Sequence, residues 1–482
     1  MKPMAWLGLV LLLLVLSACT GSGNGEGGLL ADTSTTGIAL NGTSGPASGT
    51  SGDPGKKEKS NEQVKLVVAT YFLSDQVKAA VEKYEQLHPN VDIELHAAST
   101  SGKDLNDVMN KQEQFVKTSN TAMLAGKGPD IIELDQLPSE QYVKRGLLVD
   151  LHELMDQDAD FHNENYFTNI MDHVQSGGDG GLYGMPLYFS LVGLYGNVEA
   201  IEQAGVSFDD DSWTLNDFID TIKQLKQKGD PSYIFMGEER YFLEQLVTEN
   251  FEKLITVTNG EPQLDTNALA EMMEQVQKMA DDGLLHKMGN YQRLTAVGES
   301  GTDSKNPAYF MDAELYSLRD ALLYAPFPRT ALYAKPHLVN AGGGGYFKPF
   351  GQLGINANSD HPQEAWDFIQ FLLNEESVQA YFDEHLDASP GFPMNRSVYE
   401  QQKSKLLQDG TVTSGNGPKV PVDPDMLAQV DHYINTAVHA VGGPSKLSET
   451  IYNETEAFFA GQKSASDVAK VIANKINLLL NE

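Results

Sequence analysis

The sixteen residues Leu182-Tyr-Gly-Met-Pro-Leu-Tyr-Phe-Ser-Leu-Val-Gly-Leu-Tyr-Gly-Asn197 limit what the rest of the chain can be. They are apolar or aromatic almost throughout, enter from Gly177-Gly-Asp-Gly-Gly181 and leave at Gly196-Asn197, the pattern of a buried strand bounded by turns. Ser190 is the one polar residue inside the run, so the strand changes setting there, as a segment crossing between two lobes would. On that reading residues 64–180 form one α/β unit and residues from about 198 to 330 a second.

The first unit opens with Val64-Lys-Leu-Val-Val-Ala-Thr-Tyr-Phe72 as a buried strand, followed by a helix from Asp75 to His88 with Val77, Val81, Tyr84 and Leu87 on one face and Pro89 as its stop. Val91, Ile93 and Leu95 then alternate, completing a β-α-β unit, the building block of a largely parallel sheet. A helix over about 104–125 leads through Gly126-Lys-Gly-Pro129 to Asp130-Ile-Ile-Glu-Leu-Asp135. Ligands gather beyond strand ends in such sheets, so Glu133 and Asp135 are candidate ligand groups, against the alternative of cap and solvated-loop carboxylates. From Pro424 the chain reads helical to its end, with Leu427, Val430, Ile434 and Val438 as one core stripe and Val468, Ile472, Ile476 and Leu479 as another.

A chain of 482 residues exceeds what one hydrophobic core serves, which favours two domains. Its 67 acidic against 34 basic residues exclude nucleic acid and anionic membrane surfaces as partners, since both demand clustered Lys and Arg. Residues 1–62 contribute four Lys against five Asp and Glu, so 32 of the 33 net negative charges lie beyond them. Lys2 and the apolar run from Trp6 to Leu16, too short to span a bilayer, are followed by Leu16-Ser-Ala-Cys19. This resembles a bacterial lipoprotein signal, which implies cleavage after residue 18 and lipidation of Cys19. With no second Cys there is no intramolecular disulfide and no thiol nucleophile elsewhere. Residues 20–62, with 11 Gly, 6 Ser and 6 Thr, read as a disordered tether. A coil of that length spans ~35 Å root-mean-square.

Gly128-Pro-Asp-Ile-Ile132, Tyr142-Val-Lys-Arg-Gly-Leu-Leu-Val-Asp-Leu151, Gly184-Met-Pro186, Trp213-Thr-Leu-Asn-Asp-Phe218, Glu239-Arg-Tyr-Phe242, Phe350-Gly-Gln-Leu-Gly-Ile-Asn356, Ala365-Trp-Asp-Phe-Ile-Gln-Phe-Leu-Leu373 and Gly391-Phe-Pro-Met-Asn395 follow one another in order. Together they resemble the extracellular solute-binding proteins (family 1) of carbohydrate ABC importers, the group that includes maltodextrin-binding protein. The resemblance covers about 64–482. It implies the two-lobe, periplasmic-binding-protein-like α/β fold (type II), with three hinge crossings, at 187–194, 342–350 and near 392–397, and a ligand cleft between the lobes. Lobe one would hold 64–186 with 350–392, and lobe two 195–340 with 400–482.

A sugar offers hydroxyl edges and apolar faces, so its site wants carboxylate or amide acceptors beside flat rings. The resemblance assigns Glu239 as such an acceptor and Tyr241 as a stacking ring, while Ser190 stands where a maltodextrin-binding relative has a carboxylate, a departure that leaves the particular sugar open. Phe72, Tyr188, Tyr316 and Tyr346 are the further stacking candidates. Trp366, in an apolar helix, reads as core, and Trp213 as packing at a helix start.

Asp156, Asp158 and Asp160 have calcium-loop spacing, but Phe161 and Phe167 stand where Gly and Glu are required, which leaves a solvated acidic loop. Glycines 342–345 lack the Lys-Ser/Thr of a phosphate loop. The reading that results is a monomeric, non-enzymatic binding protein without cofactor. It is held by a lipid anchor at the extracellular face of a bacterial membrane and passes a sugar or oligosaccharide to ABC permease subunits. The alternatives are a thiaminase-like enzyme, which needs a Cys nucleophile, a glycosidase, which needs two opposed carboxylates among groups such as Glu133, Asp135 and Glu239, or a tethered sensor or adhesin.

Overall fold

The computed structural model describes residues 63–72, 75–99, 105–174, 180–231, 234–258, 261–285, 308–338, 342–375, 391–413, 417–444 and 446–481. Cys19, the signal segment and the tether lie outside the described residues, and so does the side chain of Phe72.

The strands in chain order are β1 (Val64–Phe72), β2 (Val91–Ser99), β3 (Ile131–Glu133), β4 (Tyr188–Asn197), β5 (Ile234–Met236), β6 (Ile255–Thr258), β7 (Glu261–Leu264) and β8 (Ala308–Leu315). They continue with β9 (Thr330–Tyr333), β10 (Gly345–Phe350), β11 (Leu353–Ile355), β12 (Phe392–Pro393), β13 (Thr411–Val412), β14 (Val420–Pro421) and β15 (Ala437–Ala440). Seven helices bear on the site: α1 (Asp75–Leu87), α2 (Leu105–Leu124), α3 (Ser139–Lys144), α4 (Glu239–Glu249), α5 (Pro362–Asn374), α6 (Pro424–Thr436) and α7 (Ala465–Asn481).

The first sheet runs β11-β3-β1-β2, with β1 parallel to both β2 and β3 and β11 antiparallel to β3. The parallel β1–α1–β2 unit is thus the one the apolar spacing predicts. The second sheet runs β15-β10-β4-β8-β5, with β12 and β9 also pairing to β4. β4 is the central strand, paired antiparallel to β10, β8, β9 and β12.

Residues directly opposite in an antiparallel pair share a face of the sheet, and alternate residues share a face along a strand. Phe189, Leu191 and Tyr195 of β4 therefore stand with Phe347 of β10 and with Ala313 and Leu315 of β8. All six belong to one core that also takes in Leu66, Val68, Trp366 and Phe368, so this face is packed continuously with the first sheet. The opposite face carries Tyr188, Ser190, Val192 and Leu194, with Phe350, Lys348 and Tyr346 on one side and Glu314 and Asp312 on the other. Its far end enters a second core of Leu194, Phe310, Phe218, Phe235, Met273 and Ile476. Its near end is polar, and a polar sheet face beside two cores is where a site can lie.

Trp366 is fully buried, and its indole N–H donates to Asp158 at 3.0 Å, so that carboxylate of the acidic 156–160 segment is spent on the core. Trp213 packs at a helix start, stacked on Phe208 at 5.3 Å and donating to the Ala334 carbonyl at 3.0 Å.

One expectation is overturned. The chain is not helical from Pro424 to its end: α6 stops at Thr436, and residues 437–440 form β15, parallel to β10. The Thr436 hydroxyl back-bonds to His432 O at 3.0 Å, which loosens the last turn, and the open edge of β10 then offers a hydrogen-bonding partner that helical periodicity cannot register. Val438 accordingly leaves the Leu427–Val430–Ile434 stripe. β10 in turn needs Gly345: a Cβ there would lie 2.5 Å from the Tyr433 ring, whose hydroxyl donates to Val192 O at 2.6 Å.

Candidate functional site

The polar end of the second sheet's exposed face gathers residues from four segments. Ser190 and Lys348 are direct partners across β4 and β10, and Ser190 Oγ donates to Glu314 Oε1 at 3.4 Å. Tyr316, just past β8, stacks on Phe350 with ring centres 5.7 Å apart and planes 27° from parallel. Tyr316 also hydrogen-bonds to Glu314, and it feels the neighbouring Tyr241 phenol. Burial is the main reason its hydroxyl is held well above the ordinary tyrosine range, followed by the Glu314 charge, so the phenol stays protonated and able to donate. Lys348 Nζ lies 5.3 Å from the Phe350 ring centre, close enough for a cation–π contribution. α4 brings Tyr241 into this group because it starts directly after β5 and the Gly237–Glu238 link. One turn further along α4, burial pushes the Glu244 carboxyl up, opposed by its hydrogen bond to Ser448 and then by the charges of Lys335 and Lys348.

Of the residues singled out from sequence, Ser190, Tyr241 and Tyr316 are brought together here, and Tyr188 is on the same sheet face, opposite Phe350; Ser190 is fully buried, so its hydroxyl holds Glu314 from beneath rather than standing at the surface. Glu239 begins α4 but is 2% exposed, so it is enclosed rather than presented at the surface. Asp135 has both carboxylate oxygens engaged, accepting from Gly351 N at 2.7 Å and Gln352 N at 3.0 Å. That turn requires Gly351, whose φ is +60°, and Asp135 ties it to the end of β3. Burial raises the Asp135 pKa; the two backbone N–H groups oppose this, and Lys348 adds a smaller lowering influence. Glu133 accepts from Tyr71 N at 3.0 Å, at the end of the first sheet.

Tyr346 is apart from the group. It is fully buried, with its hydroxyl 2.8 Å from His337 Nδ1 and 3.0 Å from Asn250 Oδ1. Phe72 ends β1 opposite Ser99.

Glu314, Lys348, Phe350 and Glu244 were not found from sequence. A signal existed for two of them: Lys348 and Phe350 are two apart in a strand-like run, so whatever faces one faces the other. Two concavities of about 480 and 330 Å³ lie elsewhere, the larger walled by glycines 342–345, Asp210, His432 and Tyr433, and neither touches any of the nine predicted binding residues. The case for the site is therefore chemical: stacked rings, a hydroxyl, carboxylates and one ammonium on a half-open face.

The sequence profile of the bacterial extracellular solute-binding proteins matches residues 73–379. The chain belongs to that family. Solved structures with the same fold include a family 1 extracellular solute-binding protein from Alicyclobacillus acidocaldarius (17% identity, TM-score 0.54, 88% of this chain and 100% of that one). Others are the sugar-binding protein MalE from Xanthomonas citri (15%, 0.54, 86% and 97%) and a periplasmic oligogalacturonide-binding protein from Yersinia enterocolitica (15%, 0.57, 86% and 99%). At these identities the likeness establishes the fold, which is the two-lobe α/β architecture of solute-binding proteins with mixed sheets. No helix among the described residues is long and apolar enough to cross a membrane.

Proposed function

We propose that this family member captures a sugar or oligosaccharide on the face built from Tyr241, Glu314, Tyr316, Lys348 and Phe350, with Ser190 holding Glu314 from beneath, and delivers it to the permease of an ABC importer. The observation that carries the reading is the Tyr316–Phe350 stack, flanked by the Glu314 carboxylate and the Lys348 ammonium. Aromatic faces suit the C–H faces of a pyranose, and ionised acceptors and donors at their edge suit its hydroxyls. Family membership and the sugar ligands named for the MalE and oligogalacturonide-binding structures point the same way.

The lobes divide at the crossing strands, with 64–186 and 350–392 on one side and 195–340 and 400–482 on the other. α6 falls in the second group by sequence, yet its Leu427, Val430 and Ile434 pack into the first core. Cys19 carries the lipid and residues 20–62 the tether, which leaves a monomer at the outer face of the membrane.

A thermal-shift screen of mono- and oligosaccharides against the full chain is the direct test. A ligand at one hundred times its Kd adds about 2.7 kcal/mol to folding stability, well within detection. If no saccharide raises the Tm, the sugar reading fails. Cys19→Ala should move the protein from the membrane fraction to the soluble one, and a variant that stays with the membrane removes the lipid from the proposal.

A further inference from the structure

The last carbonyls of a helix have no partner within it and must find one outside. α7 ends in the second core, where Ile476 and Leu480 are buried, yet its final carbonyls are met by a helix anchored elsewhere. Gln141 Nε2 donates to Leu479 O at 3.1 Å, and Lys144 Nζ donates to Leu480 O at 3.4 Å. Both donors sit on α3, which is fixed to the first sheet: Tyr142 is 2% exposed in a cluster with Ile132, Leu134 and Leu148, and its hydroxyl bonds to Asn120. A cation at a helix C-terminus also interacts favourably with the helix dipole, which suits Lys144 to this place.

We infer that α3 and the end of α7 form a clasp that joins the two lobes away from the crossing strands and restricts the angle between them. The crossing strands alone leave rotation as the soft motion of a two-lobe protein. A second attachment at a distance from that pivot removes much of the freedom.

The inference concerns lobe geometry and needs no ligand, so it stands or falls separately from the sugar reading. The test uses the full chain carrying Cys19→Ser, with Lys117→Cys on α2 and Glu274→Cys on the helix Thr266–Asp281 spin-labelled, and reads the interlobe distance distribution by pulsed electron resonance. Adding Gln141→Ala with Lys144→Ala should broaden the distribution and shift its centre, while far-UV circular dichroism stays unchanged because Tyr142 and the α7 core are untouched. A distribution from the double variant that superimposes on the parent overturns the clasp.

Discussion

On β8, Glu314 stands exposed beside Ser190 and Tyr316, whereas Asp312, two residues earlier on the same face, is largely enclosed, its side chain 18% exposed, in a charge cluster sealed around Lys335 and Glu249. In that cluster Lys335 is 1% exposed and its ammonium reaches Asp312 at 2.5 Å, Glu249 at 3.0 Å and Gln245 at 3.1 Å. Burial raises both carboxylates and pushes Glu249 up to about 7. The lysine is held above its ordinary range because the attraction of two carboxylates outweighs its own desolvation. The sealed group thus balances its charge internally, one ammonium against two acids of which one takes up a proton near neutrality. The open group does not: Lys348 makes no ion pair among the described residues and lies instead near a ring. A polar cluster that settles its own charge supports the fold, and one that leaves capacity facing outward can receive a guest.

The largest test of this contrast is removal of each lysine. Lys335→Met leaves two carboxylates in a dry interior and should cost about 3–5 kcal/mol in urea unfolding, the usual result of breaking a buried pair from one side. Lys348→Met should stay within about 0.5 kcal/mol, as surface changes do. Equal costs would erase the distinction between sealed and open.

Next in size is the pH dependence of the sealed group. Because the Glu249 pKa is raised from 4.5 to about 7, the folded chain keeps that proton where the unfolded chain has lost it. This stabilisation is complete below about pH 4.5 and is lost as pH rises through about 7, amounting to at most ~3 kcal/mol at 1.36 kcal/mol per pH unit. His337 has the opposite sign. Burial first, then the charges of His439 and Lys253, lower it to about 4, so its contribution is present above 6.5 and is lost as pH falls towards 4. The two slopes oppose each other over the same range. Glu249→Gln should therefore expose the histidine's slope, with stability rising from pH 4.5 to 6.5 more steeply than in the parent. Urea midpoints at pH 4.5, 5.5, 6.5 and 7.5 measure it, and parallel profiles for parent and variant would show that Glu249 does not titrate with folding.

Periodicity made much of this molecule legible. β1, α1, β3 and the ends of α2 follow from runs and breakers read along the chain, and the lone Ser190 within 182–197 already marked β4 as more than core. Local pattern could not reveal register. Glu314 and Lys348 flank Ser190 because segments more than a hundred residues apart pair antiparallel with β4, and pairing shifted by one residue would have turned both to the packed face. Asp135 shows a related limit. Its position at a strand end was readable, but its engagement by Gly351 and Gln352 depends on a turn more than two hundred residues later. β15 was missed for the same reason, since its pairing partner is β10.

The smallest expected effects separate the ring from its hydroxyl at the open group. Tyr316→Ala removes the stacked face and should weaken binding of the saccharide found by the screen by about 1–3 kcal/mol, partly lost apolar area and partly the aromatic geometry. Tyr316→Phe keeps the stack on Phe350 and removes the bond to Glu314, which frees that carboxylate to accept from the ligand. The two consequences oppose each other, because a lost neutral donor and a gained ionised acceptor are of similar size, so the change should stay within about 0.5 kcal/mol. Calorimetric titration of both variants reads the pair. A large loss in Tyr316→Phe with little further loss in Tyr316→Ala would mean that the hydroxyl and not the ring holds the ligand, and the stack would then be packing alone.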